Sequence, residues 1–161
     1  MSTTPAPNPL EPTQDEKTMA IFAHVFQIFG SWIAPLIIFL VKRQSRFVSF
    51  HALQALLLQI IHVIAIFIFI AIWFTVIFGT VFSSVAHQAA GGHPEPPFAF
   101  ICMFPILWLF IMGYAVTIWV VAIVYGIKAS RGEWAEYPLL GRWARNILKI
   151  GPNGTTLPGA N

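Results

Sequence analysis

The chain has 161 residues, of which 57% are hydrophobic and only 9% are charged. Ordinary soluble domains carry about 25% charged residues, and a soluble fold of this length could not hide so much apolar surface. The net charge of +3 is unevenly distributed, because residues 47–127 contain a single charged side chain, Glu95. The composition therefore predicts an integral membrane protein. It argues against nucleic-acid binding, since basic clusters beside apolar segments are what membrane topology requires.

Residues 1–17 predict a disordered tail. Pro5, Pro7, Pro9 and Pro12 lie there among polar residues, and such a segment buries too little apolar surface to offset the entropy lost on ordering. Residues 18–150 are predicted to form the membrane domain, and residues 151–161 a flexible C-terminal tail.

The first apolar segment, residues 19–41, is long enough for a transmembrane helix, because about 20 residues cross the hydrocarbon core. Pro35 interrupts this segment one turn after Gly30. A proline inside a helix removes a backbone donor, so we predict a kinked span. The alternative is a re-entrant hairpin that turns at residues 30–32.

The second apolar segment, residues 47–85, is too long for one crossing and predicts one long helix. Its polar beginning would lie in the interface, and residues 56–85 would cross the bilayer. The sequence HQAAGGHPEPP at residues 87–97 predicts a loop. A third span is predicted at residues 98–126.

Residues 139–150 predict an amphipathic helix on the membrane surface. Leu139, Leu140, Trp143, Ile147 and Ile150 share one arc of a helical wheel, opposite three cations. Such a helix would hold its cations toward anionic headgroups. The alternative is a helix that packs on the protein itself.

The distribution of charge predicts the topology. Basic residues follow the first and third spans, whereas the loop at residues 87–97 has only Glu95. The positive-inside rule then predicts that both basic regions, and with them the C-terminus, are cytoplasmic. The N-terminal tail would be outside if the first segment crosses, and inside if it is a hairpin. The residues expected at the membrane surface are Lys42, Arg43, Arg46, Arg142, Arg145 and Lys149.

A polar stripe on the second helix is the best candidate site. His51, Gln54 and His62 lie on one face of a helix with 3.6 residues per turn. They would either form hydrogen bonds between helices or line the groove of a channel or carrier. No metal site is expected, because His51 and His62 are separated by about 16 Å along the axis. No catalytic constellation and no cofactor motif is apparent.

Two segments carry motifs of a known family. The first, residues 16–59, has an acidic start, an Ala-x-x-x-His element, a Pro-Leu-Ile-Ile segment followed by basic residues, and a Phe-x-x-x-His-Ala-x-Gln-Ala-Leu element. The second has Ala-x-x-Gly followed by Tyr-Pro-Leu. The main motif positions are His24, Pro35, His51, Gln54, Gly132, Tyr137 and Pro138. In these segments the chain resembles a bacterial membrane family of unknown function, which is similar to the twenty-kilodalton (Tic) subunit of the chloroplast inner-envelope protein import complex.

The resemblance implies a helical, multi-pass protein of the bacterial inner (plasma) membrane. Together with the apolar segments described above, we expect an all-α, polytopic fold with about three transmembrane helices and a C-terminal interfacial helix. We expect a non-catalytic protein that packs or assembles with partners in membrane protein insertion or translocation; the alternative is the channel or carrier. The expected partners are anionic lipid headgroups and either other membrane proteins or a second copy, without nucleic acid.

Overall fold

A computed structural model describes residues 11–30, 32–93 and 98–155 of the chain. The predicted tail at residues 1–10, the centre of the predicted loop at residues 94–97 and the last six residues lie outside this part. The described residues form α1 (Gln14–Gly30), α2 (Ile33–Val41), α3 (Arg46–Ala89), α4 (Phe98–Ser130), α5 (Leu140–Leu148) and a 3-10 turn at Pro152–Gly154. The all-α prediction is confirmed for this part of the chain.

Helix α1 begins inside the segment predicted as the disordered tail. The backbone N–H of Thr13 donates to the Glu16 carboxylate (2.8 Å), and the N–H of Glu16 donates to the Thr13 hydroxyl (3.3 Å). This reciprocal capping box satisfies two backbone donors that the start of a helix leaves free. The prediction is corrected accordingly, because residues 14–17 are helical.

We expect Glu16 to make the free energy of unfolding slightly dependent on pH in the acid range. Partial burial alone would raise its pKa, but hydrogen bonds from Ser45 and Thr13 outweigh burial, and the pKa lies below its ordinary value of 4.5. The stabilisation is therefore present at neutral pH and is lost as the pH falls through the lowered pKa. We expect the difference in unfolding free energy between the wild type and Glu16→Gln to shrink between neutral pH and about pH 3. A constant difference over that range would contradict this account.

The segment predicted as the first span consists of two short helices. α1 has 17 residues and α2 has nine, whereas a crossing needs about 20. The two helices pack against each other. Pro35 lies in the first turn of α2, where its missing N–H would have no partner within the helix. The prediction of one continuous kinked helix is thus corrected, because the segment forms two short helices that pack together.

Two helices among the described residues are long and apolar enough to cross a membrane. They are α3, with 44 residues, and residues Ile101–Ser130 of α4. No residue in the most apolar stretch of α3 is buried, whereas a core helix of a soluble protein would be mostly buried. The predicted single long helix over residues 47–85 is confirmed within α3, and the third predicted span lies within α4. A third crossing helix is not confirmed.

The chain divides into two compact units, residues 1–60 with 118–161 and residues 61–117. The core of the first unit contains Phe50 and Leu53 of α3 packed with Ala144 and Ile150 from the C-terminal region. A second cluster joins Ala20, Phe47 and Ala129, and Trp134 packs against both clusters.

The second unit joins the apolar parts of α3 and α4. The rings of Phe69 and Phe110 stack with their centroids 3.7 Å apart. The ring of His62 meets that of Tyr114 edge-on at 5.0 Å.

The C-terminal helix is shorter than the predicted 139–150 and packs partly on the protein. In α5 (Leu140–Leu148), Leu140 and Ala144 are buried, whereas Trp143 is exposed. Residues 151–155, predicted as part of the flexible tail, include the 3-10 turn and accept two hydrogen bonds from arginine side chains. The carbonyl of Gly151 accepts from Arg145, and that of Gly154 accepts from Arg46.

Candidate functional site

Four buried polar side chains meet in the first unit, and we call them the buried polar cluster: His24, His51, Gln54 and Tyr137. His24 comes from α1, His51 and Gln54 come from the first turns of α3, and Tyr137 comes from the connector between α4 and α5. His24 and His51 are completely buried, and Tyr137 is only 3% exposed. Three separate chain segments therefore converge on one polar centre.

The two histidines and the tyrosine form a continuous chain of hydrogen bonds. His24 Nδ1 lies 2.8 Å from the Tyr137 hydroxyl, and His24 Nε2 lies 3.0 Å from His51 Nδ1. His51 Nε2 lies 3.1 Å from the backbone carbonyl of Glu133. A carbonyl only accepts, so His51 Nε2 must carry the proton.

The Glu133 carbonyl at the end of these hydrogen bonds determines which group donates in each of them. A neutral His51 protonated on Nε2 accepts at Nδ1, so His24 must donate from Nε2. His24 then accepts at Nδ1, and Tyr137 donates its hydroxyl hydrogen. With both imidazoles neutral, every ring nitrogen and the hydroxyl has a partner. These hydrogen bonds leave no imidazole lone pair free to bind a metal ion or to abstract a proton.

Burial also keeps the tyrosine in its donating form. The apolar surroundings raise the pKa of the Tyr137 phenol well above its usual value, because desolvation penalises the phenolate. The ring of Tyr125 packs edge-on against that of Tyr137, with the centroids 4.2 Å apart.

Gln54 holds the connector by its backbone. Its Oε1 accepts from the N–H of Tyr137 at 2.6 Å, and its Nε2 donates to the carbonyl of Ala135 at 3.2 Å. An amide side chain offers one acceptor and two donors, so it can hold an extended segment from both its N–H and C=O groups. Gln54 thereby fixes residues 135–137 along the start of α3.

The structure divides the predicted polar stripe. His51 and Gln54 lie together in the buried polar cluster, but His62 lies in the second unit beside the ring of Tyr114. His24 approaches His51, and Tyr137, named from the sequence only as a motif residue, is the hydrogen-bond donor to His24. The partnership of His24 and His51 cannot be read from spacing, because the two residues belong to different helices.

The other three motif residues lie outside the cluster. Gly132 has a φ of +77° in the turn after α4, and a Cβ there would come within 2.9 Å of Lys17 Cε. Pro138 directly precedes the turn that begins α5, and its carbonyl accepts from the N–H of Leu140. Pro35 is buried in α2.

The sequence analysis did not single out Gln27 and Gln59. Both are almost completely buried, and Gln59 Nε2 donates to the backbone carbonyl of Gln27 at 3.1 Å. Gln27 lies one turn after His24 on the face that also contains Ala20 and Ala23. The signal available was this run of small and polar residues at helical spacing, which marks a face turned toward protein.

Several basic residues predicted for the membrane surface have partners within the first unit. Lys42 pairs with Asp15 at 2.8 Å, and Arg145 pairs with Glu136 while lying over the ring of Phe50. Arg43 lies over the ring of Phe39. Arg142 and Lys149 are both exposed.

Comparison with known proteins identifies a family. The chain finds no match among curated proteins or solved structures, and the comparisons add no evidence for the resemblance to the plastid import subunit. In the described residues, no group of three His, Cys, Asp or Glu side chains is positioned to hold a metal ion. One family model matches residues 15–144, which include the entire buried polar cluster, and the chain therefore belongs to the magnetosome magnetite crystal formation protein family (MamF/MmsF), a bacterial membrane family.

Proposed function

We propose that this chain is a non-catalytic membrane protein that takes part in magnetite crystal formation by packing with other proteins of the same membrane. Membership of the family supports the role in magnetite crystal formation, and the buried polar cluster supports the non-catalytic role. Its imidazoles and phenol are engaged with one another and with the backbone. A closed cluster of this kind holds three segments in one arrangement and offers no group to a substrate.

The same observation argues against the channel alternative. A channel or carrier would need His51 and Gln54 to face water, but both are fully buried and bonded to the connector. A role in inserting or translocating neighbouring proteins is a further form of this assembly function. The resemblance to the plastid import subunit favours it.

We also propose a topology in which α3 and α4 cross a bacterial inner membrane while the α1–α2 hairpin enters and leaves from one side. The two ends of the hairpin support this, since Asp15 pairs with Lys42 and the Ser45 hydroxyl donates to Glu16 at 2.7 Å. The first unit contains all nine Lys and Arg residues and five of the six acids, a formal charge of +4. The positive-inside rule then assigns this unit, with both chain ends, to the cytoplasmic side of the membrane.

The crystal-forming role can be tested by complementation. We expect the chain, expressed in a magnetite-forming bacterium that lacks its own family member, to restore crystals of normal number and size in electron micrographs. His51→Leu removes a central member of the cluster and should restore fewer or smaller crystals. His93→Leu changes an exposed histidine and should behave as the wild type.

Isolation of the tagged chain in mild detergent provides the second readout. We expect other proteins of the crystal-forming membrane to be retained with the wild type and lost with His51→Leu. Wild-type protein that reaches the membrane but restores no crystals would refute the crystal-forming role. Wild-type protein that restores crystals while remaining free of partners would refute the packing mechanism.

A further inference from the structure

Helix α5 is fixed to the first unit by one of its faces. Leu140 and Ala144 are buried, and Leu148 packs on the cluster that contains Phe50 and Leu53 of α3. Gly141 lies so close to the connector that a Cβ would come within 2.4 Å of Glu136 Cβ. The orientation of α5 on its unit is therefore determined by packing, and its other faces have fixed directions.

A second apolar face of the same helix is left uncovered. Trp143 and Ile147 are four residues apart on α5, and together with Leu139, the N-cap residue directly before the helix, they form the α5 stripe. Leu139, Trp143 and Ile147 are 74%, 55% and 58% exposed. The predicted apolar arc is thus divided between a half that is buried against protein and a half that stays largely exposed. Three large apolar side chains in a row are an interaction surface rather than scattered exposure.

The charges around the stripe indicate the chemistry of what covers it. Glu136 pairs with Arg145, Asp15 pairs with Lys42, and Glu133 lies 3.8 Å from Arg131. The first unit nevertheless retains its excess of positive charge, and Arg142 is exposed beside the stripe. A second copy seated here would bring like charges together, which costs free energy. An anionic surface complements these charges.

We propose that the α5 stripe is buried in lipid at the membrane surface, with Arg142 and Lys149 directed toward anionic headgroups. The location fits, because α5 packs on the turn at Phe50 and Leu53, just before α3 becomes exposed and apolar from Ile60 onward. Tryptophan is the residue most typical of the boundary between hydrocarbon and water. Arg145 takes no part in this contact, since Glu136 and the carbonyl of Gly151 hold it.

Spin labelling of the full chain tests the proposal. Ile147→Cys and the matched neighbour Asn146→Cys, each made in the Cys102→Ser background, carry a nitroxide. Both positions are exposed, but they point about 100° apart on the helix. In phosphatidylcholine vesicles that contain phosphatidylglycerol, we expect the label at 147 to collide mainly with oxygen. The label at 146 should collide mainly with a water-soluble nickel chelate.

The charge contribution is tested with the same labels. Arg142→Gln and Lys149→Gln should each lower the docking constant in these vesicles by roughly fivefold, and should have little effect in pure phosphatidylcholine. Arg131→Gln, which removes a charge away from the stripe, should change the collision ratio little. Equal nickel access at 146 and 147 would mean that the helix lies in water. A label at 147 shielded from both reagents would mean that protein covers the stripe. Either result overturns the proposal, whatever the outcome for crystal formation.

Discussion

Substituting His51 by leucine is expected to lower the free energy of unfolding of the purified protein by about 2 to 6 kcal/mol, since each buried group left without a partner costs about 1 to 3 kcal/mol. Two groups lose their partner. The carbonyl of Glu133 loses a donor, and the Nε2–H of His24 loses an acceptor. Leucine fills much of the same volume, so the loss of hydrogen bonds dominates the effect.

For a membrane protein, the competing expectation is a smaller loss of unfolding free energy. Hydrogen bonds between membrane helices average about 0.6 kcal/mol, because the unfolded chain finds other partners within the bilayer. The cluster differs in that its acceptors at Glu133 and Ala135 belong to the connector between α4 and α5. When unfolding releases the connector into water, its carbonyls are hydrated. In the folded state only the cluster can pair them, so the loss of a donor there is not offset by an equal loss in the unfolded state.

Chemical unfolding in mild detergent, followed by tryptophan fluorescence, measures the change. Trp134 packs against Phe47 and Phe50 beside the cluster and reports its opening. Gln54→Leu should destabilise in the same direction, because the N–H of Tyr137 and the carbonyl of Ala135 lose their partner. His93→Leu is the exposed control. A loss below about 1 kcal/mol for His51→Leu would mean that water replaces the imidazole and that the cluster is not closed.

The long helices could be predicted from sequence because length and composition alone determine them. An apolar run of about 40 residues has no alternative to helix in a membrane, where every backbone group must be paired. The first segment was harder, since its 23 residues satisfy the length of a span. The contacts that join its ends, Asp15 with Lys42 and Glu16 with Ser45, are tertiary and leave no trace in hydropathy.

The candidate site was only half predictable. The helical spacing of His51 and Gln54 indicated a shared face, and both residues do lie in the buried polar cluster. The partners on other segments, His24 and Tyr137, are 27 residues before and 86 after His51 along the chain. No periodicity connects positions on different helices. Likewise, a helical wheel shows the apolar arc of α5 but not which part protein covers.

The topology predicts an all-or-none labelling pattern. Single cysteines at Glu11, Gln44 and Ala90, each in the Cys102→Ser background, sample the N-terminal segment, the loop after α2 and the end of α3. All three native residues are exposed. An impermeant maleimide added to cells with a permeabilised outer membrane should label Ala90→Cys alone. Opening the inner membrane should then allow Glu11→Cys and Gln44→Cys to react.

The cysteine at position 11 distinguishes the two topologies. Three crossings would separate the N-terminal segment from the loop after α2, so Glu11→Cys would react together with Ala90→Cys in unopened cells. The hairpin keeps residues 11 and 44 on the same side, as the 2.8 Å contact between Asp15 and Lys42 requires. Because that exposed ion pair contributes only about 0 to 1 kcal/mol, Lys42→Gln should leave the labelling pattern unchanged. Reaction of Glu11→Cys before the inner membrane is opened would indicate that α1 and α2 together cross the membrane, and would refute the proposed topology.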